Sequence, residues 1–326
     1  MDFIPLAIDS ADHSNGSMYS HLVQLMREAY AECKALGIAE DVFSKGGIGE
    51  FILAHHLNHE LVDGGGGADG IDPATGNRYE YKVSTQTSFH FGFGPRKTDR
   101  QNEKLLRRKF SELSGAFLAQ HHLGLIQRVV FCEPELLLEN LIESLKASKA
   151  GLLTKRYSFD QAIRFGREIE PPTRNSHPYD ASIPKVRLMF QLAHEQGLRA
   201  TIFSKGGQGE VLLAQHLGHA VTLHPGGADA EDASGGLHEY KISATNQFNF
   251  NHGARRSPRA LEKLLHEKFQ KIDRVWVAAR QEMDIIDCES CTGPEMGNYL
   301  ISHFNGTKGK QLTKNFSMQE FRRIFK

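Results

Sequence analysis

The chain of 326 residues contains a long internal repeat, and this repeat constrains its fold more than any other feature. Residues 43–59, FSKGGIGEFILAHHLNH, match residues 203–219, FSKGGQGEVLLAQHLGH, at 12 of 17 positions. The match continues at a nearly constant offset through the GGAD segments, the EYKVS and EYKIS segments, and the Phe-rich segments that follow them. The period of about 160 residues exceeds that of a solenoid unit. Each copy is therefore expected to be a domain with its own core.

The boundary between the copies is expected in the segment EIEPPTRNSHP, residues 168–178, whose Pro-rich polar character is typical of a linker. We divide the chain there, into residues 1–170 and residues 171–326.

Each copy shows the same order of helical and strand patterns. In the first, apolar spacing from Leu22 to Cys33 predicts a helix ending near Gly37, and a second helix after the glycines carries Glu50. Short strands are expected at residues 60–62 and 68–71, followed by a hairpin turn at DPATGN and the strand RYEYKVS.

The Phe-rich segment after this strand alternates apolar and polar residues, which predicts that it continues the sheet. A basic helix over residues 100–113, a buried strand RVVFC and a helix after Pro134 follow. The order α-α-β-β-β-α-β-α predicts an α/β (α+β) fold, in which helices flank a mixed central sheet.

Composition and charge limit the class of protein. The chain is 40% hydrophobic and 24% charged, as soluble globular proteins are, and four cysteines are too few for a disulfide framework. With no signal-like opening and no apolar run of about 18 residues, we expect a cytoplasmic protein without membrane contact. The net charge is zero, but residues 94–109 hold seven basic residues against two acidic, and residues 253–271 hold six against two. Any nucleic-acid surface is therefore expected to be local and duplicated.

Acidic and basic side chains alternate with apolar ones in the strand RYEYKVS. Because side chains alternate between the faces of a strand, Glu80 and Lys82 are expected on one face and Tyr81 on the other. The hairpin should bring Asp69 toward the same edge. Two converging carboxylates suit Mg²⁺, and a lysine beside them can hold or help deprotonate a water and counter charge on a phosphate.

The second copy repeats the pattern with Asp229, Glu239 and Lys241. Glu50 and Glu210 lie one turn into the helices that follow the SKGG segments and are candidates for a further metal or water ligand. The N-termini of these helices would favour a phosphate. The alternative is a purely structural role, in which the charged strand residues form a salt bridge retained for folding. The retention of the acids and the lysine in both copies favours the catalytic interpretation.

These residues resemble the PD-(D/E)xK nuclease superfamily, which includes many type II restriction endonucleases and several repair nucleases. The resemblance covers residues 43–109 and 203–268. Ala68 and Ala228 stand where the family often has proline, and Asp72 and Asp232 are rival choices for the first acid, although they lie closer to the hairpin turn. The resemblance implies a restriction-endonuclease-like core in each copy, Mg²⁺ as cofactor, and products with 5′-phosphate and 3′-hydroxyl ends.

The resemblance also assigns candidate roles. The metal ligands would be Asp69, Glu80 and Glu50 in the first copy and Asp229, Glu239 and Glu210 in the second, with Lys82 and Lys241 beside the attacking water. The basic residues around the helix that follows are candidates for contact with DNA phosphates: Arg96, Lys97, Arg100, Lys104, Arg255, Arg256, Arg259 and Lys263. Polar residues after the catalytic strands, at Ser84, 86–91, Ser243 and 246–251, are candidates for contact with DNA or base edges.

Three other motifs carry weaker signals. His56 and His59, with His216 and His219, have no convincing third ligand and are expected to be helix-surface or hydrogen-bonding residues. Cys288 and Cys291 have CxxC spacing without a second pair, and the glycine-rich SKGG segments lack the GK[ST] of a nucleotide-binding loop.

The sequence thus predicts a monomeric, pseudo-dimeric, Mg²⁺-dependent endonuclease that cuts both strands of double-stranded DNA at a short specific site. Its internal pseudo-two-fold would match the symmetry of the duplex. A restriction role would also call for a companion DNA methyltransferase. Two alternatives stay open: a structure-specific repair or junction nuclease, and a DNA-binding module whose metal sites are relics.

Overall fold

The structure, a computed structural model, describes most of the chain. The described residues are 18–44, 47–62, 67–147, 152–170, 172, 176–199, 201–203, 207–222, 227–254, 257–306 and 311–326. The opening of the chain, parts of the proposed linker and of both glycine-rich segments, and Arg255 and Arg256 lie outside them.

The helices and strands of the two copies follow each other in the same general order. The first copy contains α1 (Ser20–Ala35), α2 (Ala39–Ser44), α3 (Ile48–Leu57), β1 (Glu60–Leu61), β2 (Gly70–Ile71), β3 (Arg78–Ser84), β4 (Ser88–Pro95), α4 (Asp99–Phe110), β5 (Gly115–His122), β6 (Leu125–Cys132), α5 (Pro134–Ala147), β7 (Leu152–Ser158), α6 (Phe159–Ile163) and β8 (Gly166–Glu168). The second contains α7 (Ile183–Glu195), α8 (Gly207–Leu217), β9 (Ala220–Val221), β10 (Ala230–Glu231), β11 (Leu237–Ser243), β12 (Gln247–Ala254), α9 (Pro258–Phe269), β13 (Arg274–Gln281), β14 (Asp284–Thr292), α10 (Gly293–Asn305), β15 (Gln311–Ser317) and α11 (Met318–Phe325).

A mixed sheet forms the centre of each copy, as predicted. The strand order is β1-β2-β3-β5-β6-β8 in the first copy and β14-β13-β11-β10-β9 in the second. In each, one pair is parallel, β3 with β5 and β11 with β13, while the other neighbours are antiparallel. A parallel pair needs a crossover, and α4 and α9 supply it. This crossover brings the C-terminal end of each basic helix back beside the strand that carries the predicted acids.

The structure differs from the sequence-based element order in several places, and β7, α6 and β8 follow the last helix that was predicted. The short helix α2 was not predicted, and β5 was missed because its side chains are buried along nearly the whole strand, so it shows no alternation. β4 does not continue the central sheet but pairs antiparallel with β7 in a separate two-stranded ribbon. Its Phe89 and Phe91 pack against Leu106 and Tyr157 instead.

Buried apolar residues form three clusters. One lies within the first copy, between residues 68 and 165, and one lies within the second, between residues 228 and 325. The third contains residues of both copies, including the buried apolar residues of α1, α3, α7 and α8. The two copies therefore share one core as well as having their own.

Two hydrogen bonds between the copies are reciprocal. The backbone N–H of Val221 donates to the hydroxyl of Tyr19 at 3.0 Å, and the N–H of Leu61 donates to the hydroxyl of Tyr179 at 2.9 Å. In the repeat alignment Tyr19 matches Tyr179, and Leu61 matches Val221, at the same offset. A tyrosine that precedes α1 in the first copy, or α7 in the second, thus accepts a hydrogen bond from an edge strand of the other copy. Since an unsatisfied buried N–H costs about 1–3 kcal/mol, these two bonds favour the observed arrangement of the copies.

Candidate active site

Asp69 is held against β3 by two backbone hydrogen bonds. Its own N–H donates to the carbonyl of Tyr79 at 2.8 Å, and its Oδ2 accepts from the N–H of Tyr81 at 2.7 Å. The hairpin therefore fixes this carboxylate at the edge of the strand that carries the other predicted residues.

Glu80 and Lys82 lie on the same face of β3, as strand alternation predicts. The Nζ of Lys82 is 2.6 Å from Oε1 of Glu80 and 3.7 Å from Oδ2 of Asp69. Lys82 also donates to the carbonyl of Tyr81 at 2.6 Å. Glu80 is only 3% exposed, so its charge depends on these partners rather than on water.

A second lysine, which the sequence analysis did not identify, completes the cluster. Lys109, in the last turn of α4, donates to Oε1 of Glu80 at 3.1 Å. The repeat itself contained the signal, because Lys109-Phe110 recurs as Lys268-Phe269 while the two preceding residues change from Arg-Arg to His-Glu.

The second copy contains the same cluster. Oδ2 of Asp229 accepts from the N–H of Tyr240 at 2.7 Å, and Oε1 of Glu239 accepts from Lys241 at 2.6 Å and from Lys268 at 2.8 Å. The predicted Asp, Glu and Lys thus come together in both copies, each time with the same additional lysine.

Burial and neighbouring charges set the protonation of these groups. Burial by itself would raise the pKa of Glu80, but Lys82 and Lys109 outweigh it and hold that pKa below its usual value. Burial raises the pKa of Asp69. Burial alone would lower the pKa of Lys82, yet the surrounding carboxylates raise it. The pKa directions are the same for Glu239, Asp229 and Lys241. Each lysine is therefore held as a cation, which suits it to stabilise negative charge rather than to take a proton.

The helical acids lie beside the clusters but in different surroundings. The charge of Glu50 contributes to raising the pKa of Lys82. Burial and the neighbouring Asp229 raise the pKa of Glu210 to about 7, although Arg199 opposes this shift from 3.4 Å away. Ala39 occupies the position of Arg199 in the first copy. The arginine that opposes the shift at Glu210 therefore has no counterpart at the equivalent position of the first copy.

The donor set fits the Mg²⁺ that the family resemblance implies. In the described part of the chain no three His, Cys, Asp or Glu side chains form a ready-made metal cage. However, Oε2 of Glu80 is buried without a hydrogen-bond partner among the described residues, which is costly unless a cation satisfies it. Because Mg²⁺ keeps several waters and needs only one or two protein carboxylates, Asp69 and Glu80 are sufficient ligands.

The rival acids are occupied elsewhere. Asp72 accepts hydrogen bonds from the N–H of Ala74 and the hydroxyl of Thr75, and Asp232 accepts from Ser234 and Gly236. Both therefore stabilise hairpin turns, which supports the choice of Asp69 and Asp229.

The candidate DNA-binding residues lie around the start of α4 and α9. Lys97, Arg100, Lys104, Arg259 and Lys263 are exposed, whereas Arg96 is half-buried and pairs with Asp99 at 3.1 Å. Arg255 and Arg256 lie outside the described residues. Since a helix rises about 1.5 Å per residue, Arg100 is roughly 13 Å along α4 from Lys109.

The remaining motifs have structural explanations. His59 shares a hydrogen bond between Nδ1 and the Tyr81 hydroxyl at 2.8 Å, and His219 makes the same bond with Tyr240. The expectation that these are hydrogen-bonding residues is thus confirmed. Cys288 and Cys291 lie three residues apart on β14, so their side chains point to opposite faces and cannot chelate one ion together.

A cleft of about 600 Å³ lies between the copies and borders Lys82 of the first cluster and the helical acid Glu210 beside the second. It is lined by Lys82, Ser84 and Gln86 from the first copy and by Arg199 and Glu210 from the second. His90, His121 and Arg156 also line it, and among its described lining residues Glu210 is the single carboxylate. Such a lining favours an anionic ligand.

His121, which lines this cleft, is expected to make the stability of the protein depend on pH. Its ring packs against Phe190 of the second copy with 5.2 Å between centroids, and burial lowers its pKa from 6.5 to about 4. Between about pH 6.5 and pH 4, His121 is therefore protonated in the unfolded chain but neutral in the folded chain. The contribution of His121 to the free energy of unfolding is lost as pH falls through this range. The free energy of unfolding, measured by urea denaturation, should decrease between pH 7 and pH 5 in both proteins. The decrease should be about 2 kcal/mol smaller in His121→Leu than in the wild type.

His122→Leu is the matched control, because His122 is exposed at the next position of β5. It should keep most of the wild-type pH dependence, because burial rather than the charge of His122 is the larger cause of the low pKa of His121. An equal loss of stability in His121→Leu and the wild type would show that His121 does not contribute.

No model of a known protein family matches the chain, and no relative was found among curated proteins. Within the described ranges, every helix is too short or too polar to cross a membrane.

Proposed function

We propose that the chain is a Mg²⁺-dependent DNA endonuclease, a sequence-specific enzyme of the type II restriction class, whose two copies form a pseudo-dimer within one monomer. The single observation that carries the proposal is that the same Asp, Glu and two-lysine cluster is assembled twice. Lys109 and Lys268 belong to no part of the Asp, Glu-x-Lys motif, yet they contact equivalent oxygens of Glu80 and Glu239. A salt bridge retained only for folding would not need a surplus cation on a carboxylate that is already paired.

The relation between the copies supports the pseudo-dimer. The reciprocal bonds of Tyr19 and Tyr179 have the form of an isologous contact, in which equivalent residues exchange the same interaction. One cleft borders Lys82 of the first cluster and Glu210, the helical acid beside the second. A cleft lined by residues of both copies suits an enzyme that cuts both strands of one duplex.

The proposed mechanism is in-line attack of water on the phosphodiester. Mg²⁺ held by Asp69 and Glu80, with Glu50 close by, would supply a water of lowered pKa and neutralise charge on the phosphate. Lys82 stays protonated beside these acids and stabilises the extra negative charge on the phosphate oxygens as the bond to the attacking oxygen forms. Lys109 holds Glu80 in place and keeps it ionised. The attacking water gives up its proton to solvent, the bond to the 3′ oxygen breaks, and that oxygen takes a proton from solvent, which gives 5′-phosphate and 3′-hydroxyl ends.

Cleavage of a bacteriophage genome of known sequence tests the proposal. With Mg²⁺ we expect discrete fragments whose sequenced ends share a short motif and carry 5′-phosphates, and EDTA should abolish the reaction. Discrete cleavage of branched or mismatched DNA, with intact linear duplex, would favour the structure-specific nuclease instead. Binding without cleavage under every metal condition would contradict a nuclease and favour the DNA-binding module.

A further inference from the structure

Two antiparallel ribbons stand apart from the central sheets. The first ribbon is β4 with β7, and the second ribbon is β12 with β15. Each has one apolar face buried on its own core, formed by Phe89, Phe91 and Tyr157 in the first. The other face is exposed and lies outside the core. Packing does not explain the side chains of this outer face.

The outer faces of the ribbons differ at equivalent positions. In the first ribbon His90 lies directly across from Arg156, and both are exposed. In the second ribbon the same pair is Asn249 and Asn315. The cross-strand pairs on either side are Ser88 with Ser158 and Gly92 with Thr154 in the first ribbon, and Gln247 with Ser317 and Asn251 with Thr313 in the second. The first face is cationic, whereas the second is neutral and rich in amides.

The central amide pair of the second ribbon is oriented by a mutual bond. Nδ2 of Asn249 donates to Oδ1 of Asn315 at 2.6 Å. Oδ1 of Asn249 and Nδ2 of Asn315 then remain as one acceptor and one donor on an exposed face. Adenine presents the complementary donor and acceptor at N6 and N7 in the major groove.

The first ribbon borders the candidate active site. His90 and Arg156 line the same cleft as Lys82. A strand pair about 5 Å across fits a major groove about 12 Å wide, so a duplex that reaches Lys82 could take this ribbon into its groove. Arginine pairs most often with guanine, through O6 and N7.

We propose that the outer faces of the two ribbons recognise base edges in the major groove, with Arg156 selecting guanine in one half-site and Asn249 with Asn315 selecting adenine in the other. This inference rests on the proposed function. It makes the recognition sequence asymmetric, although the catalytic clusters are equivalent in composition. It also separates the residues that recognise bases from the basic residues of α4 and α9, which would contact phosphates.

Cleavage of a randomised duplex library with Mg²⁺, followed by sequencing of the ends, tests the inference. The wild type should select an asymmetric site with guanine in one half and adenine in the other. Arg156→Gln should reduce the guanine preference about 10- to 100-fold and leave the adenine half unchanged. Asn249→Ala combined with Asn315→Ala should show the opposite pattern. Melting temperatures close to that of the wild type will show that each variant is folded.

Two further variants separate base recognition from general attraction to phosphate. Arg156→Lys keeps the charge but loses the bidentate geometry, so it should relax the guanine preference as Arg156→Gln does. Lys155→Ala removes a charge from the opposite face of β7 and should leave the site preference unchanged. A symmetric site, or unchanged preferences in folded ribbon variants that still cut, would overturn the ribbon proposal alone. No cleavage by the wild type would overturn the proposed function, and the ribbon proposal with it.

Discussion

Under the proposed function, Lys82→Met is expected to change the product of supercoiled plasmid cleavage from linear DNA to nicked circles. The variant keeps the aliphatic stem of the side chain and removes the cation that lies 2.6 Å from Glu80 and 3.7 Å from Asp69. Loss of one charge-stabilising group commonly slows a reaction by about 10²- to 10³-fold. If each copy cuts one strand, the other copy still works, and open circles should accumulate. The measurement is a time course on plasmid that contains one recognition site.

The second copy provides the matched experiment. Lys241→Met should also give open circles, but with the nick in the opposite strand, which primer extension on the isolated circles will identify. The double variant should lose both cuts. Lys155→Ala, which changes a lysine outside either cluster, should linearise the plasmid at the wild-type rate. Linear product from the double variant at that rate would show that these lysines take no part in the reaction.

Local rules were sufficient to predict the residues that lie on β3 and β11. The two-residue period of a strand places Glu80 with Lys82, and the short hairpin then brings Asp69 to the same edge. Both inferences need only neighbours in sequence. The structure agrees with them in both copies, with the lysine 2.6 Å from the glutamate each time.

Features that depend on long-range packing were not predicted. Lys109 reaches Glu80 because Leu106 and Phe110 anchor one face of α4 in the core, which turns the last turn of the helix toward β3. Nothing in the sequence near Lys109 determines that direction. The ribbon partner of β4 lies more than 50 residues away along the chain, so its departure from the sheet also depends on tertiary contacts.

The reciprocal hydrogen bonds between the copies were likewise not predictable from the sequence repeat. A sequence repeat shows that two units are alike, but it does not show which unit each helix packs on. The bonds from Val221 to Tyr19 and from Leu61 to Tyr179 connect positions 202 and 118 residues apart, respectively. They indicate that the copies depend on each other for stability, so expressing either half alone is a poor way to study one site.

Lys109→Met is expected to weaken the first site while Lys82 remains in place. Glu80 would lose one of the two cations that hold its pKa below the usual value, so that pKa should rise. More of the carboxylate is then protonated at a given pH, and protonation competes with metal binding. Loss of a partner that orients and charges a metal ligand typically costs about 10- to 100-fold in activity or metal affinity.

Two measurements on a set of variants distinguish this role from a purely structural one. Nicking of the strand assigned to the first copy should need more Mg²⁺ in Lys109→Met, and the acid limb of its pH profile should move to higher pH. Lys268→Met should show the same two changes on the other strand, and Lys109→Arg should restore both. Arg108→Met is the matched control, because Arg108 is exposed at the preceding position of α4. Unchanged Mg²⁺ and pH dependence in a folded Lys109→Met would mean that this lysine only packs against the cluster, whereas the predicted shifts would give each site a second essential lysine outside the family motif.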